Sequence, residues 1–202
     1  TAYEITVRDW SSDVCSSDAR FDEKRLLWMN GQWIRRLSLD DLYTRVNNPA
    51  SNRSSKQSAA ASTYWPPAAA QASEDYKKRV LALAQDRLKT LAGLPQLTSY
   101  FFEEPARDDS LIEANKQLKK LSPDERQALV RTARDSLATL TDWTPESIQQ
   151  RLNDLLEKTS QKPGILFSLV RIATTWTPFS PQLNDTLALL GKETTLKRLA
   201  SF

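Results

Sequence analysis

"SPDERQALVRTARDSLATLTDWTPESIQQRLNDLLEK", residues 122–158, uses one local pattern twice. Ser122 precedes Pro123, Asp124 and Glu125, and Thr144 precedes Pro145, Glu146 and Ser147. A hydroxyl at the cap accepts from an orphan N–H of the first turn, and Pro suits the first helical position. In the first case Glu125 stands three residues on, where its carboxylate can bond back to the cap. Each opening predicts a helix. The first runs to about Leu140, and the second presents Ile148, Leu152, Leu155 and Leu156 at i, i+4, i+7 and i+8.

The same signals recur on either side. Upstream, Ser73-Glu74-Asp75 caps a long helix predicted to reach about Ala92, with Leu81, Ala84, Leu88 and Leu91 on its stripe. A short helix then carries Leu97, Tyr100, Phe101 and Phe102, and a further one spans Leu111–Leu121. Near the front, Phe21 to Leu37 is a dense apolar helical stretch with Asn30-Gly31 inside it as a turn or C-cap signal. Ser38 caps "SLDDLYTRV", which Asn47-Asn48-Pro49 ends. Downstream, Pro163-Gly164 opens a helix and Pro178 and Pro181 punctuate a loop. One helix runs from about Ser180 to Gly191, and a last one covers Lys192–Leu199. The expectation is an all-α protein of about ten short helices without a fixed repeat.

Composition narrows the chemistry. The chain has no histidine, which removes His-based triads, HExxH zinc sites and His general bases. One cysteine excludes a structural zinc site and an internal disulfide framework. No GxxxxGK[ST] or GxGxxG loop occurs. No apolar run approaches the roughly 20 residues needed to span a bilayer. The expected product is a cytoplasmic monomer with no membrane partner, no bound cofactor, and no assigned catalytic or metal-ligating residue. Net charge is +3, from 28 Lys plus Arg against 25 Asp plus Glu. Residues 1–18 hold one base and four acids, so the remainder carries +6, a balance compatible with nucleic acid.

Several side chains have two readings. Glu103/Glu104 and Asp108/Asp109 could do acid–base work, but in a polar loop nothing raises their pKa, and a solvated surface is the better account. Trp28 and Trp33 stand among apolar neighbours and are expected to pack between helices. Trp176 fits either base stacking or packing within a loop. Arg87 and Arg171 each precede an apolar residue inside an apolar helical stretch. Such an arginine either snorkels from the edge of a packed face or aims its planar donor fork at a base edge or phosphate. Pattern leaves this open. Residues 49–72, "PASNRSSKQSAAASTYWPPAAAQA" (from Pro49 to Ala72), lack periodicity and read as a flexible linker or insertion. Within them, Tyr64-Trp65-Pro66-Pro67 is a locally packed loop or a small docking element.

Three ordered segments carry a resemblance. "ARFDEKRLLWMNGQWIRRLSLDDL" is similar to the region after the catalytic domain of bacterial glutamyl-tRNA synthetases. "LALAQDRLKTLAGLPQLTSYFFEEP" resembles that family's anticodon-reading helix and the "FFF" element behind it. "KPGILFSLVRIATTWTPFSPQLNDTLALLGKETTLKRL" resembles its carboxy-terminal signature. Together they cover most of residues 19–202. The resemblance implies a multi-helix anticodon-binding cage with two helical lobes. Its parts are a stem-contact segment (19–48), a linker (49–72), a first lobe (73–121) and a second lobe (122–202). The implied partner is the glutamate tRNA. The implied chemistry of the longer parent is ATP- and magnesium-dependent attachment of glutamate, by a catalytic domain that this stretch lacks.

Carried over by motif, Arg87 falls on the arginine that contacts the third anticodon base. Arg171, Ser180, Pro181, Leu183 and Asn184 fall on positions lining the pocket for the first two, with Trp176 beside them. Three departures stand out: Trp176 occupies the family's glycine; Gln182-Leu183-Asn184 replaces "GLF", so an aromatic is missing where a base might stack; and the low-complexity stretch 49–72 replaces a usually compact connector. Arg87 resembles the discriminating type of the enzyme. Residues 1–18 resemble translated sequencing adapter: "DWSSDVCSSD" and "TAYE" can be spelled by codons matching a common primer, with "ITVR" as its index. The competing reading of the whole chain is a stand-alone helical adaptor that docks proteins through its Trp-bearing faces.

Overall fold

Ser122 shows how closely local rules are followed. Its hydroxyl accepts from the Glu125 N–H at 3.2 Å, and Glu125 Oε2 accepts from the Ser122 N–H at 2.7 Å. Two orphan donors are satisfied reciprocally, and the helix runs from Pro123 to Ala138. The computed structural model describes residues 22–48 and 63–202. The adapter-like segment and most of the low-complexity stretch lie outside the described residues.

The described residues form ten α-helices. They are α1 (Glu23–Arg36), α2 (Leu39–Asn47), α3 (Glu74–Gln85), α4 (Leu94–Thr98) and α5 (Ser110–Ala114). The second half holds α6 (Pro123–Ala138), α7 (Pro145–Thr159), α8 (Pro163–Thr175), α9 (Leu183–Leu190) and α10 (Lys192–Ala200). No helix among the described residues is long and apolar enough to cross a membrane.

Two hydrophobic cores result. One gathers Ile34, Leu42, Trp65, Leu81, Leu88 and Tyr100; the other gathers Val130, Leu137, Ile148, Leu152, Leu169 and Leu199, among others. The division differs from the predicted one, because Ile112 and Leu118 pack into the second core. Helix α9 bridges the two, with Leu183 and Leu187 in the second core and Leu190 in the first. Arg198 on α10, only 5% exposed, ties the halves together. It donates to the carbonyls of Thr174 (2.9 Å), Tyr100 (2.9 Å) and Glu103 (3.1 Å).

Four expectations are corrected by tertiary contacts. First, α1 runs straight through Asn30-Gly31. Gly31 is buried, and a Cβ there would lie 3.3 Å from the Leu88 carbonyl oxygen, so its role is close helix approach. Second, Trp28 and Trp33 are exposed, at 62% and 63%. The packed face carries Gly31 and Ile34, and Trp33, two residues from Gly31, lies about 200° around the axis. Third, α3 stops at Gln85, short of Ala92. There, Arg35 Nε donates to Asp86 O at 3.0 Å, and Asn30 Nδ2 donates to Lys89 O, so side chains of α1 take carbonyls a longer α3 would use. Fourth, the predicted Leu111–Leu121 helix breaks after Ala114, because Asn115 Oδ1 takes the N–H groups of Gln117 and Leu118.

Part of the predicted linker is core. Trp65 is 6% exposed, donates from Nε1 to Asn47 Oδ1 at 3.1 Å, and meets the Phe102 ring edge-on at 5.8 Å. Pro67–Gln71 then form a 3-10 turn that buries Ala69. Of the two readings of Tyr64–Pro67, the packed loop is the one observed.

Candidate nucleic-acid interface

The end of α3, the start of α9 and the C-terminal half of α1 converge on one groove of about 550 Å³. Arg35, Asp86, Arg87, Lys89, Pro181, Gln182 and Asp185 line it. Arg87 sits just beyond the last turn of α3 and is exposed, with no side-chain hydrogen bond or ion pair among the described residues. The early end of α3 swings it out of helical register and away from the apolar stripe.

Arg171 is placed by α8. Its Nε donates to Ser180 Oγ at 2.8 Å, and Ser180 in turn donates to the Pro181 carbonyl at 3.1 Å. Both nitrogens of the guanidinium tip have no hydrogen-bond partner among the described residues. Burial pushes the Arg171 pKa down, and the nearby positive charge of Arg87 pushes it further. The two cations are near enough to repel, while Asp86 and Asp185 line the groove beside Arg87. Asp185 has its pKa raised, by burial first and then by Glu146.

Of the expected site residues, Arg87 and Pro181 line the groove, with Pro181 buried at its wall, while Arg171 and Ser180 are paired just behind that wall and are not among the lining residues. Leu183 is 7% exposed and belongs to the second core beneath. Asn184 is half-buried beside it. Trp176 caps α8 with φ 46°, the left-handed region that glycine enters freely. Its ring is stacked on Phe202 at 5.7 Å and 20°, with the Arg107 guanidinium 5.5 Å from its centre. Arg35 and Lys89 escaped the sequence reading, because only the fold carries them to this groove. Phe179 also escaped it, although an aromatic between Pro178 and Pro181 in a polar loop was a visible signal. Among the described residues no cluster of three Cys, Asp or Glu side chains is arranged to hold a metal.

A groove at a helix junction with free guanidinium groups suits single-stranded nucleic acid. The family model for the anticodon binding domain matches residues 57–202. The chain belongs to the anticodon-binding domain family. A glutamate–tRNA ligase of Chloroflexus aurantiacus is 32% identical over 201 residues, covering 100% of this chain and 38% of that protein. One from Roseiflexus castenholzii is 35% identical over 198 residues, covering 97% and 36%. This anticodon-binding domain chain therefore spans little more than a third of the length of those curated relatives. A crystal structure of a glutamate tRNA ligase from Elizabethkingia meningosepticum CCUG26117 superposes with a TM-score of 0.64 at 18% identity, over 92% of this chain and 33% of that one. At that identity the match establishes the all-α fold.

Proposed function

We propose that the chain reads the anticodon of the glutamate tRNA, as the carboxy-terminal part of a cytoplasmic glutamate–tRNA ligase. The observation that carries this reading is a groove lined by Arg35, Arg87 and Lys89, against whose Pro181 wall Ser180 orients the Arg171 guanidinium with its tip nitrogens unspent. A guanidinium offers parallel donors to two adjacent acceptors, which matches the edge of an unstacked base. Arg35 and Lys89 add charge for the phosphates that flank it. Arg87 reads the third anticodon base; Arg171, Ser180 and Pro181 serve the first two. In the longer protein, ATP and magnesium act in the part this chain does not cover.

Titration with glutamate tRNA across a salt series tests the reading. Binding that weakens linearly in log–log with salt, and that falls for other tRNAs, supports it. A folded chain that ignores glutamate tRNA rejects it. One observation favours the adaptor reading: Leu26, Trp28, Met29 and Trp33 leave an apolar surface on α1 exposed. Substituting Trp28 and Trp33 together by Ser leaves tRNA affinity unchanged if the groove alone binds RNA.

A further inference from the structure

Phe179 is 75% exposed, more than any other large apolar side chain among the described residues. Leaving a Phe in water forgoes the burial that normally places it inside, so its position calls for an account. The loop holding it is not loose. Hydroxyls pack the loop against the end of α8: Thr175 Oγ1 donates to Arg171 O at 2.8 Å and lies 3.1 Å from Thr177 Oγ1, whose single proton goes either to it or to Phe179 O, 3.0 Å away. The next residue, Ser180, is 5% exposed and takes the Arg171 side chain. Arg171 thus holds the backbone just after Phe179 through its guanidinium, and the Thr175–Thr177 hydroxyl contact braces the loop before it.

The consequence is a water-facing ring on a backbone anchored one residue from Ser180, which holds a guanidinium with unspent donors. A ligand that suits both has an apolar face, a polar edge and an anionic tether. An apolar pocket on a partner protein that reached the Arg171 guanidinium would desolvate it without an acceptor, which is costly. An unstacked nucleobase meets all three requirements. We propose that Phe179 is the stacking platform for one of the bases whose edge Arg171 reads. This rests on the anticodon-reading function proposed above. It also supplies an aromatic face close to where Asn184 departs from the expected "GLF".

The test uses the 202-residue chain and an RNA stem–loop bearing the glutamate anticodon, titrated over a salt series. Phe179→Ala and Phe179→Leu should each weaken binding by about 5- to 150-fold, the range for loss of one base–aromatic stack. Phe179→Trp should bind as the parent does. The dependence of log affinity on log salt should stay unchanged in all three, since a neutral ring displaces no counterion, whereas Lys89→Ala should lower it. Unaltered helical circular dichroism and melting temperature show that these surface changes leave the fold intact. Parent-like affinity of Phe179→Ala, while Arg87→Ala is weakened, overturns the platform and leaves the anticodon reading standing. Retained affinity in Phe179→Leu alone overturns stacking in favour of plain apolar contact. If the parent itself ignores the stem–loop, both proposals fall.

Discussion

Arg171 Nε lies 2.8 Å from Ser180 Oγ, and that one bond decides which way the guanidinium points. With Nε held, only the two tip nitrogens remain to meet a ligand. Ser180→Ala should release the fork and weaken glutamate tRNA binding about tenfold, the usual scale for one hydrogen bond to a charged group. Ser180→Thr keeps the hydroxyl and should bind nearly as the parent does. Equal affinities for the parent and the Ala variant in a filter-binding titration refute this orienting role.

Arg87 is the donor proposed for the third anticodon base. Arg87→Gln should relax discrimination there by about 1–3 kcal/mol while leaving selectivity at the first two positions intact. Competition between stem–loops differing only at the third base measures it. A uniform loss across all competitors instead assigns Arg87 to a phosphate.

Arg198 makes a stability prediction. Its guanidinium serves three backbone carbonyls from both halves of the molecule, two of them buried. Arg198→Met leaves them without that donor and should cost about 3 kcal/mol or more in urea unfolding. Lysine, with a single ammonium, should not restore the loss. A variant as stable as the parent shows that the two cores hold together without this link.

The capping box at the start of α6 makes a pH prediction. The Ser122 backbone N–H, and then its hydroxyl, hold the Glu125 carboxyl below its ordinary value near 4.5. A carboxyl depressed in the folded state stabilises it above that ordinary value, and the contribution fades as pH falls through the folded one. Urea midpoints of the parent should therefore drop on acidification below about pH 4.5 more steeply than those of Glu125→Gln. Identical acid limbs would falsify the linkage.

The sequence alone determined the helical content, most helix starts and the apolar stripes of the longer helices. Ser38, Ser73, Ser122 and Thr144 act as N-caps where the pattern predicts, because capping is settled within three or four residues. Ile148, Leu152 and Leu155 are buried for the same local reason. The resemblance supplied Arg87, Arg171, Ser180 and Pro181 as candidates, but their meeting is not a local fact. Arg35 reaches Asp86 over 51 residues, and Arg198 reaches Tyr100 over 98. Contacts of that range end α3 early, turn Trp33 outward, bury Trp65 and open the groove beside Arg87. Periodicity records which face of a helix is apolar; only packing decides what that face meets and which side chains are left over to face a ligand.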